Sequence, residues 1–154
     1  MRSFVVITDR IRGKARPRTV TGAGGRSITY TTKEDKDWEE LVRWSYVRSN
    51  SGQAAYEGAF GIRIECTYAV PESFSKRQRM LALSGELTPT GKPDLDNIAK
   101  GILDALNGIA FEDDAKCVEL HVSKKYGGAT GVTVEIWRDD SGMHNSKCTM
   151  HNAQ

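Results

Sequence analysis

The chain has 154 residues, 38% of them hydrophobic and 27% charged, with a formal net charge of +2. This is the composition of one ordinary globular domain, large enough to bury a core without disulfide staples. It excludes collagen-like and disordered classes, and no apolar run approaches the ~20 residues that a membrane helix needs. The opening "MRSFVVITDR" is too short and too soon polar for a secretory leader, so a cytoplasmic protein is expected. Cys66, Cys117 and Cys148 are odd in number and form no C-x-x-C pair, which argues against a disulfide framework.

In chain order, "FVVIT" (4–8) reads as a short strand. The next segment, "RIRGKARPRTVTGAGGRSITYT", is basic, glycine-rich and broken by Pro17. It reads as a long loop that holds a short hairpin at "RSITYT". Over residues 1–32, Arg2, Arg10, Arg12, Lys14, Arg16, Arg18 and Arg26 stand against one acid, Asp9. Such a local cluster on a near-neutral chain is the footprint expected for a polyanion. "TTKEDKDWEELVRWSYVRSN" follows as the first helix. Thr31 and Glu34 have capping-box spacing, and Trp38, Leu41, Val42 and Ser45 share one face.

"GAFGIRIECTYAV" alternates with period two and stops at Pro71, the pattern of a half-buried strand. A short helix is expected around "SKRQRMLAL", which adds Lys76, Arg77 and Arg79 to the basic residues. A second long helix spans about Leu95 to Asn107. Its buried stripe is Leu95, Ile98, Ile102 and Leu106, and Gly108 follows as a left-handed stop. "KCVELHVSKKY" then points Val118, Leu120 and Val122 inward. After the turn "GGATG", "VTVEIW" buries Val132, Val134 and Ile136 and forms a hairpin with the strand before it. The order predicts an α+β single domain over 1–140, with a mixed sheet of about four strands and helices packed on it. Residues 141–154 read as a polar tail.

The acids carry the chemistry. Asp94 and Asp96 flank Leu95 at the start of the second long helix, and Asp113 and Asp114 follow its end. Carboxylates two apart in an extended segment project together. A cleft holding several of them is tolerable around a hard cation such as Mg²⁺, which binds a few carboxylates, water and phosphate oxygens and promotes phosphodiester cleavage. Lys100, four residues after Asp96, shares its helix face. Structural readings compete. Asp94 or Asp96 would serve as a helix cap, Lys100 as an ion-pair partner, and Asp113 and Asp114 as turn formers. Spacing alone does not bring the two acid pairs together, because the helix between them is ~20 Å long. A calcium loop at "DLDNIA" lacks its glycine and has Ile98 at a ligand position. A zinc site from His144, Cys148 and His151 has too few ligands to close.

"KPDLDNIAKGILDALNGIAFEDDAKCVEL" resembles the core motif of the RusA-type Holliday junction resolvases: D-L-D-N-x-x-K, then D-A-L, then a D-D pair before a strand. The likeness is close over about thirty residues. It is weaker at "GKARPRTV" and "KEDKDWEELVRW". It implies a Mg²⁺-dependent endodeoxyribonuclease, with Mn²⁺ as a substitute, acting as a homodimer on four-way DNA junctions in recombination and repair. No membrane and no organic cofactor is implied. Carried over, Asp94, Asp96 and Asp114 are the essential carboxylates, Asp113 is their less certain neighbour, and Lys100 is the functional lysine. Arg10, Arg12, Lys14, Arg16, Arg18, Lys76, Arg77 and Arg79 are then the candidates for phosphate contact. The acid sets would meet within one chain or across the dimer. Two other activities remain open: a nuclease of forks or flaps, and a non-catalytic branched-DNA-binding module.

Overall fold

The computed structural model describes residues 1–14, 18–21, 27–30 and 32–140; side chains of 18–21 and 27–30 are outside the description. The polar tail, with His144, Cys148 and His151, lies outside the described residues. Strand β1 (Arg2–Ile7) is followed by a separate antiparallel pair, β2 (Arg18–Thr21) and β3 (Ser27–Tyr30); the hairpin expected at "RSITYT" is wider than that stretch, which supplies only β3. Helix α1 (Lys33–Ser49), strand β4 (Phe60–Ala69), helices α2 (Lys76–Ser84) and α3 (Leu95–Leu106), and strands β5 (Cys117–Gly127) and β6 (Gly131–Arg138) complete the order.

Several helix boundaries have a local cause. Thr32, not Thr31, caps α1. Its hydroxyl accepts from the Asp35 N–H at 3.3 Å and donates to the Asp35 carboxylate at 2.5 Å, so the cap sits one residue later than the spacing suggested and is a side-chain cap, not a reciprocal capping box. Ser75 and Gln78 form a reciprocal capping box on α2, which ends at Gly85 with φ 84°. Gly108, just past the C-cap of α3, takes φ 78° as expected.

The main sheet has the order β1-β6-β4-β5, with β4 and β5 parallel and the other pairs antiparallel. The predicted β5–β6 hairpin does not form. The α3 crossover lays β5 parallel to β4, leaving β4 between β5 and β6. The short link then passes the end of β4, where the Ala69 N–H donates to Thr130 Oγ1 at 3.1 Å. Val132, Val134 and Ile136 fill the centre of the buried face as predicted.

That face carries α1 and α3. Phe4, Val6, Trp38, Val42, Tyr46, Phe60, Ile62, Ile64, Ile98, Ile102 and Leu106 form one core. Phe60 and Phe111 stack at its edge with ring centroids 4.2 Å apart. The opposite face carries ion pairs: Arg63–Glu135 at 3.2 Å and Lys125–Glu65 at 2.5 Å. Two expectations of burial fail. Leu95 is 40% exposed on the first turn of α3, and Val118 and Leu120 are 59% and 47% exposed. Leu120 does share the helix-bearing face with its neighbour Ile62. It lies on the edge strand, however, beyond the cover of the helix layer. Cys66 is fully buried in the core, and that burial pushes its thiol up to about 11, as befits an inert apolar side chain.

Candidate active site

Three remote parts of the chain meet at the start of α3. Asp94 is its N-cap residue by backbone, with φ −72° and ψ 153°, yet its carboxylate makes no capping hydrogen bond. The capping role that competes with chemistry at this position is therefore not exercised. Asp96 stands in the first turn, where a negative charge suits the positive end of the helix dipole. Both side chains are exposed and line a cavity of about 690 Å³.

The segment after β1 closes another wall of this cavity, contributing Arg10, Arg12 and Lys14. Ile11 anchors it in the core at 3% exposure, and the Lys14 N–H donates to the Asn97 carbonyl at 2.7 Å. Gly13 is required by this close approach, because a Cβ there would lie 2.8 Å from Asn97 Cβ. The three cations differ in state. Lys14 Nζ bridges Glu39 at 2.8 Å and Asp104 at 3.0 Å, and the hydrogen bond to Glu39 is the main reason its pKa is raised. Arg12 pairs with Glu34 at 3.1 Å and Asp35 at 3.7 Å. Arg10 has no acidic partner among the described residues and remains open to a phosphate. So does Lys92, a lining residue that the sequence reading missed.

Tyr68, from the end of β4, was also missed. It lines the same cavity, its hydroxyl is buried without a hydrogen-bond partner, and burial pushes its pKa up to about 12. It is thus a neutral donor at physiological pH. The only sequence signal for it was its place as the last aromatic of an inward-facing stripe. Tyr68→Phe is expected to leave the melting temperature unchanged or slightly higher, since it removes an unpaired buried polar group. Cleavage should fall about tenfold, the scale of one lost hydrogen bond. Thermal melting and single-turnover cleavage measure the two effects, and a lower melting temperature would show that the hydroxyl is structural.

The other predicted residues lie elsewhere. Lys100 is exposed, with Nζ 3.8 Å from Asp104 Oδ1, and does not line the cavity. Lys76, Arg77 and Arg79 are exposed on α2, away from the cavity lining. Arg16 lies outside the described residues, and Arg18 is described only as backbone in β2. Asp113 caps the 3₁₀ turn Asp114–Lys116, its carboxylate accepting from the Ala115 N–H at 2.9 Å, whereas Asp114 is half-buried and caps nothing. This division favours Asp114 as the chemical member of the pair. Lys124, which donates to the carbonyls of Gly91 at 2.8 Å and Pro93 at 2.5 Å, pins the α3 start to the far end of β5. Asp114 precedes the near end. Eight residues of strand from Lys116 to Lys124 span roughly 26 Å. Within one chain the two acid pairs therefore stay apart, and no group of three or more His, Cys, Asp or Glu side chains gathers as a metal site among the described residues. Asp94 and Asp96 alone fit a hydrated Mg²⁺: two uncapped oxygen donors beside an open cavity leave positions for water and phosphate.

Comparison with known proteins bears on the same segments. The chain is 47% identical over 64 residues to the uncharacterized protein YqaN of Bacillus subtilis (strain 168), a match covering 42% of this chain and 45% of that protein. The chain thus spans less than half the length of that relative. The sequence pattern described as "Endodeoxyribonuclease RusA" matches residues 10–137, from the basic segment through both acid pairs to the last strand. With most of its length inside that match, the chain belongs to the RusA endodeoxyribonuclease family.

Proposed function

We propose that the protein is a Mg²⁺-dependent endodeoxyribonuclease that resolves four-way DNA junctions by paired nicks. The observation that carries this reading is the convergence of the uncapped Asp94 and of Asp96 with Arg10, Lys92 and Tyr68 on one open cavity, inside the family match. Asp94 and Asp96 would hold the cation, which when bound makes water a stronger nucleophile at neutral pH and offsets charge on the phosphate. Arg10 and Lys92 would seat the phosphates flanking the scissile bond. The Tyr68 hydroxyl, buried without an internal partner, would donate to a non-bridging phosphate oxygen once the cavity wall yields to the DNA. Lys100, outside the cavity, would act on the next phosphate along the strand. Lys76, Arg77 and Arg79 would widen the basic surface, adding affinity without sequence information.

Each chain holds one such set of acids, while resolution needs two cuts. A homodimer supplies the second set and matches the two-fold symmetry of the junction. A role in recombination and repair in the cytoplasm follows from that substrate. No described helix is long and apolar enough to cross a membrane. The test is cleavage of end-labelled four-way junction, fork, flap and linear duplex, with Mg²⁺ and with chelator. The junction should be cut on opposing strands only with Mg²⁺. Preferential cutting of forks or flaps would replace the substrate, and binding without cutting would make the protein a branched-DNA-binding module.

A further inference from the structure

Arg10, Arg12 and Lys14 line the cavity from one short segment between β1 and β2, and Lys14 is the cation among them that joins two helices. Its ammonium group lies 2.8 Å from Glu39 of α1 and 3.0 Å from Asp104 of α3. Its backbone N–H is bonded to Asn97 of α3. One turn further along α3, a Cβ on Gly101 would stand 3.3 Å from the Lys14 nitrogen, so the segment runs tight against the helix at two successive turns. We propose that Lys14 is a positioning residue and not a phosphate contact: it struts the basic segment against α1 and α3 and thereby holds Arg10 in the wall of the Asp94 and Asp96 cavity. The inference rests on the nuclease reading for its consequence, though not for the strut itself.

Charge separates the two roles. Lys14 with Glu39 and Asp104 sums to −1, and Lys100, 3.8 Å from Asp104, brings the group to zero. A neutral cluster does not draw a polyanion. Turning Lys14 toward a phosphate would also take a cation from two carboxylates whose side chains are only 24% and 25% exposed, and set a third anion beside them. Taking away one partner of an ion pair costs more the less water can replace it. The hydrogen bond to Glu39 raises the Lys14 pKa, so the strut stays charged at physiological pH. Arg12 differs, since its nearer partner, Glu34, is 69% exposed. An exposed pair of that kind holds weakly and leaves Arg12 able to exchange its partner for a phosphate.

The salt dependence of junction binding, measured with chelator so that nothing is cut, tells a phosphate contact from a strut. Arg10→Gln should flatten the slope of log affinity against log salt by about 0.9, the share of one phosphate contact. Lys14→Met should leave the slope at its wild-type value. Its single-turnover cleavage with Mg²⁺ should nevertheless fall at least ~10-fold, because misplacement of a substrate-seating group by about 1 Å costs up to ~10²-fold. Glu39→Met reverses the sign between the two roles. A lysine freed from a carboxylate to meet phosphate would bind the junction more tightly. A loosened strut should instead lower cleavage by about threefold, the scale of one part-exposed ion pair. Should Lys14→Met fold poorly, Glu39→Met, which keeps the Asp104 contact, carries the same comparison. Amide hydrogen exchange over residues 10–14 reads the anchoring without DNA and should quicken in both variants.

A slope flattened by Lys14→Met, tighter binding by Glu39→Met, or unchanged exchange over residues 10–14 overturns the strut. If the wild-type protein cuts no branched DNA while exchange over 10–14 quickens in the variants, the strut stands and the nuclease reading falls.

Discussion

Asp94→Asn and Asp96→Asn are each expected to lower four-way junction cleavage by at least ~10²-fold, the scale of losing one strong electrostatic stabiliser of the transition state. Folding should hardly respond. Asp94 makes no capping bond that the substitution could break, and the amide keeps its volume. Asp96 loses only its interaction with the helix dipole, about 0.3–1 kcal/mol at an exposed position. Melting curves and junction binding should therefore stay close to wild type while turnover disappears. Asp113→Asn is the natural contrast. Asparagine caps a turn as well as aspartate does, so the bond to the Ala115 N–H survives and cleavage should change little. Near-wild-type turnover of Asp94→Asn or Asp96→Asn would remove that residue from the site.

The largest effect on stability is expected at Phe111. Its side chain is fully buried, its ring stacks on Phe60 at 4.2 Å with an interplanar angle of 13°, and the chain around it is tied to Tyr56 by backbone hydrogen bonds of 3.0 and 2.9 Å. Phe111→Ala removes that burial and leaves a cavity, a loss of about 3–5 kcal/mol. For a domain of this size the melting temperature should drop by about 10 °C. Urea titration of both variants measures the losses, and Leu120→Ala, at a half-open edge position, should cost under ~1 kcal/mol. A Phe111→Ala loss as small as that would mean the stack is not part of the core. Phe111 also leads directly into Asp113 and Asp114, so packing here fixes where the second acid pair leaves the domain.

The helices were legible because period 3.6, capping residues and glycine stops act locally. Ser75, Gln78, Gly85 and Gly108 do their work within a turn of where they stand. Strand pairing was less so. Adjacency in the chain suggested a β5–β6 hairpin, but the intervening position of β4 is decided by the α3 crossover, which no local pattern encodes. Period two correctly put Leu120 on the face of Ile62, yet it carries no information about what covers that face. The acids were readable as a motif. Their surroundings were not, since Arg10, Tyr68 and Lys92 come from separate elements and meet only through the fold. Whether Asp94 caps its helix is equally invisible in sequence, because aspartate suits both roles.

The most direct test of the account is the product formed from a supercoiled plasmid that extrudes a cruciform. With Mg²⁺, the wild-type protein should convert it to linear DNA, because two symmetric sites cut opposing strands in one encounter, and with chelator it should leave the plasmid intact. Cleavage that persists without a divalent cation, or open circles with no linear product, would contradict a Mg²⁺-dependent paired-nick resolvase built on Asp94 and Asp96.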